Sequence, residues 1–176
     1  MNEIESQNKN DGLLFFRLIN NHIKFRLFLL LKLPAAFFAG LRIKYASEDA
    51  CAVSIHFSRF TQNPFGSTYF ACLAMAAELS TGALAMSNIY KRKPSVSMLI
   101  VSMESKFYKK ATGHTIFTCE EGMAIKNIVQ KAKATGESQS ITVKSTGRNI
   151  ESETVAEFWF TWSFKQSIKM VRDHAY

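Results

Sequence analysis

Residues 63–86 read NPFGSTYFACLAMAAELSTGALAM, and this stretch decides the fold. Residues 71–86 are rich in Ala, Leu and Met and contain few polar groups. The helix that they predict is apolar on every side, and such a helix is normally buried inside a protein. The rest of the chain must therefore supply the layers that surround it.

The start of this helix is marked by turn-forming residues. Asn63-Pro64 and Gly66 supply turn chemistry, and Ser67 or Thr68 supplies a hydroxyl that can cap a helix N-terminus. We expect the helix to begin near Thr68.

One carboxylate, Glu78, lies inside the apolar stretch, and no other charged residue occurs between Arg59 and Lys91. An ionised group is rarely buried without a partner or a task. Helical spacing places four other residues on the same face, and all but the methionine are small: Ala71, Ala74, Met75 and Gly82. A backbone or a ligand can thus come close to the carboxylate. The alternative is a buried ion pair between Glu78 and an Arg or Lys from elsewhere.

Length and composition indicate one domain. The chain has 176 residues, 47% hydrophobic content and 15 Phe, and no Pro- or Gly-rich linker divides it. Residues 1–12 are polar and are expected to form a flexible tail. Their composition, which includes acidic residues, differs from the basic start of a signal peptide. Residues 13–176 are expected to form the domain, with an N-terminal helical segment at 13–40.

The cysteines indicate a reducing compartment. Cys51, Cys72 and Cys119 are odd in number and lack metal-ligand spacing. We interpret them as reduced core thiols of a cytoplasmic protein, and we expect no metal site.

The N-terminal helical segment has too few consecutive apolar residues to cross a membrane. Its uninterrupted apolar run, 27–31, is broken by Lys32 and Pro34, whereas a bilayer span needs roughly 20 apolar residues. Apolar residues recur at helical spacing upstream of this run, which favours an amphipathic helix that packs on the core. Its Arg and Lys residues leave a membrane-surface helix as the alternative.

Strands follow on both sides of the central helix. Alternating apolar and polar residues predict strands at 42–45 and 53–58, joined by a turn at 47–49, and further strands at 95–108, 114–119, 140–144 and 154–165. A second helix is expected at 120–134, with Gly136 at its stop. The last strand has one aromatic face, formed by Phe158, Phe160, Trp162 and Phe164. We predict an α+β fold in which a curved antiparallel sheet wraps the central helix.

This arrangement resembles the hotdog fold of acyl-thioester enzymes. In the phenylacetyl-CoA type of hotdog thioesterase, an Asn is followed after six residues by His-Gly-Gly, and a catalytic acid comes eight residues after the first of these glycines. Here Asn63 matches the Asn, Tyr69-Phe70-Ala71 occupies the His-Gly-Gly positions, and Glu78 falls on the acid. The order of elements looks still more like an uncharacterised bacterial branch of thioesterase-like proteins. The resemblance covers roughly residues 28–165.

The resemblance implies an acyl-CoA or acyl-carrier-protein thioesterase. Glu78 would be the general base or the nucleophile, and the Phe70 backbone amide would polarise the thioester carbonyl. Tyr69 could donate a hydrogen bond, and Asn63 would orient the water or the carboxylate. The residues expected to contact substrate lie in the loop, on the helix and on the following strand: Gly66, Ser67, Thr68, Ala71, Met75, Ser95, Ser97 and Lys106. No cofactor is implied beyond the coenzyme A of the substrate.

The chain departs from the family at the missing His and both missing glycines. Phe70 and Ala71 carry side chains where the family leaves the backbone open. Transfer of the fold is therefore safer than transfer of the activity. A non-catalytic hotdog protein that binds acyl-CoA or lipid is the second hypothesis.

Helix geometry predicts a dimer. Glu78 follows Phe70 by eight residues, which is about 12 Å along a helix axis. One chain cannot place both groups on one carbonyl, but two chains related by a two-fold axis can. We predict a homodimer with two interfacial sites, and such dimers could pair into a tetramer.

The net charge of +8 favours an acidic partner. Short basic clusters at 91–93, 106 and 109–110 would suit coenzyme A phosphates or an acidic carrier protein, although a solvated basic surface is the alternative for most of these residues. No nucleic-acid motif is recognised. The four histidines are scattered and none lies near the helix start, so hydrolysis is favoured over a histidine-dependent dehydration.

Overall fold

The apolar central helix is wrapped by a six-stranded sheet in the computed structural model, which describes residues 3–167. Three helices come first: α1 (Glu3–Ile19), α2 (His22–Lys32) and α3 (Pro34–Phe38). Next come β1 (Arg42–Ala46), β2 (Cys51–His56) and the central helix α4 (Phe70–Ser87). The chain continues with β3 (Val96–Phe107), β4 (His114–Cys119), α5 (Gly122–Thr135), β5 (Gln139–Arg148) and β6 (Thr154–Gln166).

The strands form one antiparallel sheet in the order β1-β2-β4-β5-β6-β3. The aromatic face of β6 is buried against the helix layer, as predicted. Trp162 Nε1 donates to Thr81 Oγ1 over 3.0 Å, and Thr81 Oγ1 donates to the Glu78 carbonyl over 2.9 Å. The Ser80 and Ser145 hydroxyls, both buried, lie 2.7 Å apart between α4 and β5. These bonds fix the rotation and depth of α4 in the curved sheet. The predicted α+β hotdog architecture is confirmed.

The C-terminal end of α4 is held by two cations. Arg92 Nη2 donates to the Ser87 carbonyl over 2.9 Å, and Lys133 Nζ donates to the Asn88 carbonyl over 3.2 Å. Positive charge is favourable at this end of a helix dipole. Burial, together with the neighbouring Arg92, lowers the pKa of Lys133 to about 8.

The predicted start of the central helix is wrong by two residues. The helix begins at Phe70, its N-cap is Tyr69, and no side chain caps it. Ser67 Oγ is bound to the Asn63 side chain instead, and Thr68 Oγ1 donates to the Ala111 carbonyl over 3.0 Å. Both hydroxyls are committed to the loop and to a neighbouring segment, so neither is free to cap.

The expectation of a flexible tail over residues 1–12 is also corrected, because α1 is helical from Glu3. Gly12 lies within this helix where Arg92 passes closely, since a Cβ at Gly12 would lie 2.6 Å from Arg92 Nη2. The polar composition of the segment concealed a helix that continues into the N-terminal helical segment. The predicted end of the domain, at Tyr176, lies outside the described residues.

The N-terminal helical segment packs on the core through one side only. Phe15, Ile19, Phe25 and Leu29 are buried, whereas the opposite face of α2 is exposed and still apolar. The packing helix expected here is therefore two helices, α1 and α2. Within residues 3–167, α4 is the one helix long and apolar enough to cross a membrane, and 67% of it is buried inside the protein. The length and hydrophobicity of α4 are therefore those of a core helix.

Two strands differ from the predicted alternation. Ser54 was expected on a polar face, yet it is buried because β2 lies between β1 and β4 with both faces covered. A register shift between Ile43 and Tyr45 turns Tyr45 outward. The predicted stop of α5 at Gly136 is confirmed.

Candidate active site on the central helix

One stripe of α4 is left open by the surrounding sheet. Four of its residues are half-buried and share the face with Glu78, which is itself half-buried: Ala71, Ala74, Met75 and Gly82. The other sides of the helix are buried. The predicted grouping of these residues on one face is confirmed, and this face, called the open stripe below, is the one a ligand or a partner can reach.

Glu78 carries an unpaired carboxylate. Among the side chains of residues 11–167 none donates a hydrogen bond to it and no cation pairs with it, so the alternative of a buried ion pair does not hold there. Burial disfavours the ionised form and raises the pKa of Glu78 to about 7. The group therefore titrates near neutral pH, where it can accept a proton.

Gly82 gives this carboxylate its position. A Cβ built at Gly82 would lie 2.9 Å from Glu78 Oε1, closer than such atoms approach in proteins. Because Gly82 has no side chain, the Glu78 carboxylate can lie along the helix surface beside Gly82, one turn towards the C-terminus of α4. The sequence showed that the two residues share a face but not that they are in contact.

The loop before α4 is built around Asn63. Its Oδ1 accepts from the backbone amides of Phe65, over 3.0 Å, and Ser67, over 3.2 Å. Gly66 lies between them with φ of 71°, a left-handed conformation that favours glycine. Asn63 is thus committed to the shape of the loop, and Gly66 permits that shape. The expected role of Asn63 in orienting water is not what these contacts indicate.

The loop delivers an uncapped helix N-terminus. Neither the Phe70 nor the Ala71 amide has an acceptor within residues 11–167. Tyr69 is exposed and packs edge-to-face on Phe70, with 4.9 Å between ring centroids. Free amides and the positive end of the helix dipole meet at this point.

Two cavities border α4, one at its start and one along the open stripe. The helix-start cavity, of about 310 Å³, is lined by the loop and by a basic pair on the segment after β3: Asn63, Ser67, Thr68, Phe70, Lys109 and Lys110. The apolar chamber, of about 500 Å³, lies between α4 and the N-terminal helices and includes Phe15, Phe25, Phe28, Glu78, Met86 and Met98. Nothing in the sequence distinguished the aromatic residues of α1 and α2 from ordinary core residues.

Three predicted site residues lie elsewhere. Ser95 is exposed, and Ser97 Oγ donates to the Lys165 carbonyl over 3.2 Å. The Lys106 ammonium lies over the Trp159 ring, 5.5 Å from its centroid, on the outer face of the sheet. The structure does not bring these residues to Glu78. Alternation along β3 directs Met98 rather than Ser97 towards the chamber, and the register shift between Ile100 and Ser102 turns Lys106 to the outer face.

The cysteines are free and buried, as predicted. Cys51 and Cys119 face each other across β2 and β4, and burial raises the pKa of each to about 12. Such thiols are poor nucleophiles at neutral pH. Within the described part of the chain, no group of His, Cys, Asp and Glu could hold a metal ion.

Comparison with known protein families identifies the family of this chain. A family model described as a domain of unknown function, DUF4442, matches residues 22–164. The chain belongs to the DUF4442 family. The match spans the second and third N-terminal helices, the whole sheet except the end of β6, and the helix that carries Glu78. No curated protein matches the sequence.

Solved structures share the fold of this DUF4442 protein at low sequence identity. A Pseudomonas aeruginosa protein named as a probable thioesterase has a TM-score of 0.69 and 18% identity, covering 85% of this chain and 99% of its own. A Chlorobaculum tepidum protein of unknown function gives 0.68 and 14%, covering 82% and 93%. A Haemophilus influenzae thioesterase gives 0.56 and 13%, covering 85% and 92%. The fold is thus the hotdog fold of thioesterase-like proteins, and the predicted resemblance is confirmed.

The unpaired carboxylate predicts a pH-dependent stability. Glu78 has a raised pKa of about 7 in the folded protein against an ordinary value of 4.5. Between these values the folded protein holds a proton that the unfolded chain has lost, so stability falls as pH rises and stays low above pH 7. We expect Glu78→Gln to be more stable than wild type at pH 8, by up to about 3 kcal/mol, and nearly equal at pH 4.

Urea unfolding at the two pH values measures this difference. Glu104→Gln is the matched control, since Glu104 is an exposed carboxylate on β3. The free energies of unfolding of Glu78→Gln and wild type are compared at each pH. If their difference is the same at pH 4 and pH 8, the folded protein does not disfavour the ionised form of Glu78.

Proposed function

We propose that this protein hydrolyses an acyl thioester of coenzyme A or of acyl carrier protein. Glu78 acts as the general base or as the nucleophile, and the amides at the start of α4 bind the carbonyl oxygen. The observation that carries the proposal is the Glu78 carboxylate, unpaired among the side chains of residues 11–167 and with a pKa of about 7, on the open stripe of the helix. Perturbed acids in cavities are typical of catalytic sites.

The reaction balances with these groups and water. The thioester oxygen accepts hydrogen bonds from the Phe70 and Ala71 amides, where the helix dipole favours the negative charge that develops. Glu78 takes a proton from water while the water oxygen attacks the carbonyl carbon. The tetrahedral intermediate then releases the thiolate, which takes up the proton, leaving a carboxylic acid. If Glu78 attacks directly, its carboxylate displaces the thiolate and forms a mixed anhydride. Water then hydrolyses the anhydride to the carboxylic acid and the free Glu78 carboxylate, and the thiolate takes up the remaining proton.

Two chains must contribute to each site. Eight residues, about 12 Å of helix, separate Phe70 from Glu78. Two α4 helices that lie antiparallel across a two-fold axis would put the helix start of one chain beside Glu78 of its partner. We propose a homodimer of this kind, alone or as half of a tetramer.

The edge of the sheet supports this assembly. The 12-residue strand β3 is paired on one side only, and it exposes Leu99, 66% accessible, and Val101, 54% accessible. Long apolar edges are normally covered. Antiparallel pairing of β3 with its own copy would cover this edge and set the two α4 helices side by side.

The helix-start cavity suits the polar part of the substrate. Lys109 and Lys110 border it beside the free amides, although Lys109 also pairs with Glu153. Coenzyme A phosphates or an acidic carrier protein would complement these cations and the net charge of +8. Tyr69 is exposed beside the amides and would contact the thioester. The free buried thiols support a cytoplasmic location.

A non-catalytic acyl-binding protein is the second candidate. It is favoured by the Phe70 side chain, which is 52% exposed at the helix start where the catalytic family has glycine. A side chain at this point can obstruct the approach of the carbonyl to the amides. Saturable binding of acyl-CoA without release of thiol would then be the only activity.

Activity should depend on the Glu78 carboxylate and its position. We expect thiol release from an acyl-CoA panel to rise with pH through about 7, because the base works ionised, and to fall at least 100-fold in Glu78→Gln.

Gly82→Ala should lower the rate of thiol release about tenfold or more, since its Cβ displaces Oε1 of Glu78, while leaving α4 equally stable or more stable. Equal background rates of thiol release in wild type and Glu78→Gln would contradict the proposed hydrolysis and leave acyl binding without catalysis as the function.

The edge strand should control assembly. Leu99→Lys is expected to give a monomer by light scattering and to lower thiol release, because it charges the β3 edge. Ile150→Lys is the matched control, since Ile150 is 78% exposed in the turn before β6, and it should change neither mass nor rate. A monomeric, fully active wild-type protein would contradict the shared site.

A further inference from the structure

The apolar chamber is a second functional feature of the same helix. It lies where α1 and α2 cross the open stripe, and its volume of about 500 Å³ falls within the range of ligand cavities. Two of its described lining residues carry a charge, Glu78 and Lys32. Lys32 is exposed, so it marks the opening, and Glu78 lies on the wall formed by α4.

We propose that this chamber holds the hydrocarbon chain of a medium- or long-chain fatty acyl thioester. This inference rests on the proposed thioesterase function and names its substrate class. The N-terminal helical segment is then a specificity element: it forms the wall that α4 and the sheet do not supply.

The size of the chamber favours a long chain. Liquid water occupies about 30 Å³ per molecule, and a methylene group is of similar size, so the chamber holds on the order of ten carbon atoms or more. An acetyl or a single aromatic acyl group would leave most of it empty. Empty apolar space forfeits the packing contacts of its lining.

The composition of the wall favours a flexible chain. Met86 and Met98 line the chamber opposite the aromatic residues of α1 and α2. Methionine side chains adapt to irregular apolar ligands. Apart from Glu78, Tyr90 and Lys32 at the opening, the described lining is apolar, so its recognition is by burial of hydrocarbon.

The two cavities divide the substrate between them. On α4 the helix-start cavity lies at Phe70 and Leu73 and the chamber lies from Glu78 to Met86, with the carboxylate at the end of the chamber that is nearer the helix start. In an antiparallel pair of α4 helices, the basic helix-start cavity of one chain would meet the apolar chamber of its partner. A thioester lying across that junction would have its phosphates on the lysine side and its acyl chain on the apolar side.

The test fills the chamber from a helix that carries no proposed catalytic group. Leu18 of α1 is half-buried and lines the chamber, so Leu18→Trp should shorten it. Leu14→Trp, one turn earlier on an exposed position, is the matched control. Each methylene displaced is worth about a fourfold factor in binding.

Turnover gives one result. For Leu18→Trp, kcat/KM for dodecanoyl- and hexadecanoyl-CoA should fall at least tenfold, while that for acetyl- and butanoyl-CoA stays within twofold. Leu14→Trp should match wild type throughout. Equal profiles for the two tryptophan variants would overturn the chamber while leaving the thioesterase standing.

Binding gives a result that does not need catalysis. Glu78→Gln protein should bind a fluorescent polyene C18 fatty acid saturably, and Leu18→Trp in that background should weaken binding at least tenfold. Such binding without turnover in wild type would support the chamber and defeat the proposed hydrolysis. Binding that is absent, or indifferent to Leu18→Trp, would overturn the chamber.

If Leu18→Trp fails to fold, Phe28→Ala replaces it. Phe28 lines the chamber from α2 and is 39% exposed, so its truncation is tolerable and enlarges the chamber. The preferred acyl chain should then lengthen. An unchanged preference would again overturn the proposal.

Discussion

The aromatic face of β6 must be covered, and α4 and α5 together cover it. Burying a large aromatic side chain is worth about 1.5–3 kcal/mol, and β6 presents four of them in a row: Phe158, Phe160, Trp162 and Phe164. Only a helix with apolar residues on nearly all sides can occupy the concave face of the sheet. A sheet encloses such a helix on three sides, so one stripe remains open, and the single charged residue of α4 lies on that stripe.

This arrangement explains the character of Glu78. The carboxylate is close enough to the core for burial to raise its pKa to about 7, yet it lines the apolar chamber. An ion pair would stabilise the fold but would lower the pKa and hold the carboxylate ionised in a fixed pair. The unpaired carboxylate therefore lowers stability above pH 7, and it leaves a group that can accept a proton near neutral pH.

The sequence predicted the features that depend on periodicity. The aromatic alternation of β6, the stop of α5 at Gly136 and the shared face of Ala71, Met75 and Glu78 were all predicted correctly. What failed depended on tertiary contacts. Ser67 and Thr68 have suitable capping hydroxyls, but Asn63 and Ala111 bind them. Strand position alone could not show that Ser97 and Lys106 face away from Glu78, and no pattern separates a chamber-lining Phe from a core Phe.

The central claim is that the helix start of one chain works with Glu78 of its partner, and complementation tests it directly. Phe70→Pro removes one of the two amides that would bind the carbonyl, and the loss of one such donor typically lowers the rate about 100-fold or more. Proline is well tolerated at the first helical position, and the extended Tyr69, with ψ of 135°, suits a following proline.

Phe70→Pro and Glu78→Gln would each be inactive alone, and Phe70→Ala, which keeps the amide, would remain active. In a co-expressed equal mixture of the two inactive variants, half of the dimers pair one of each. Each mixed dimer then has one intact site, so thiol release should recover to about a quarter of the wild-type rate. A mixture that stays as inactive as its components would contradict a site shared between two chains.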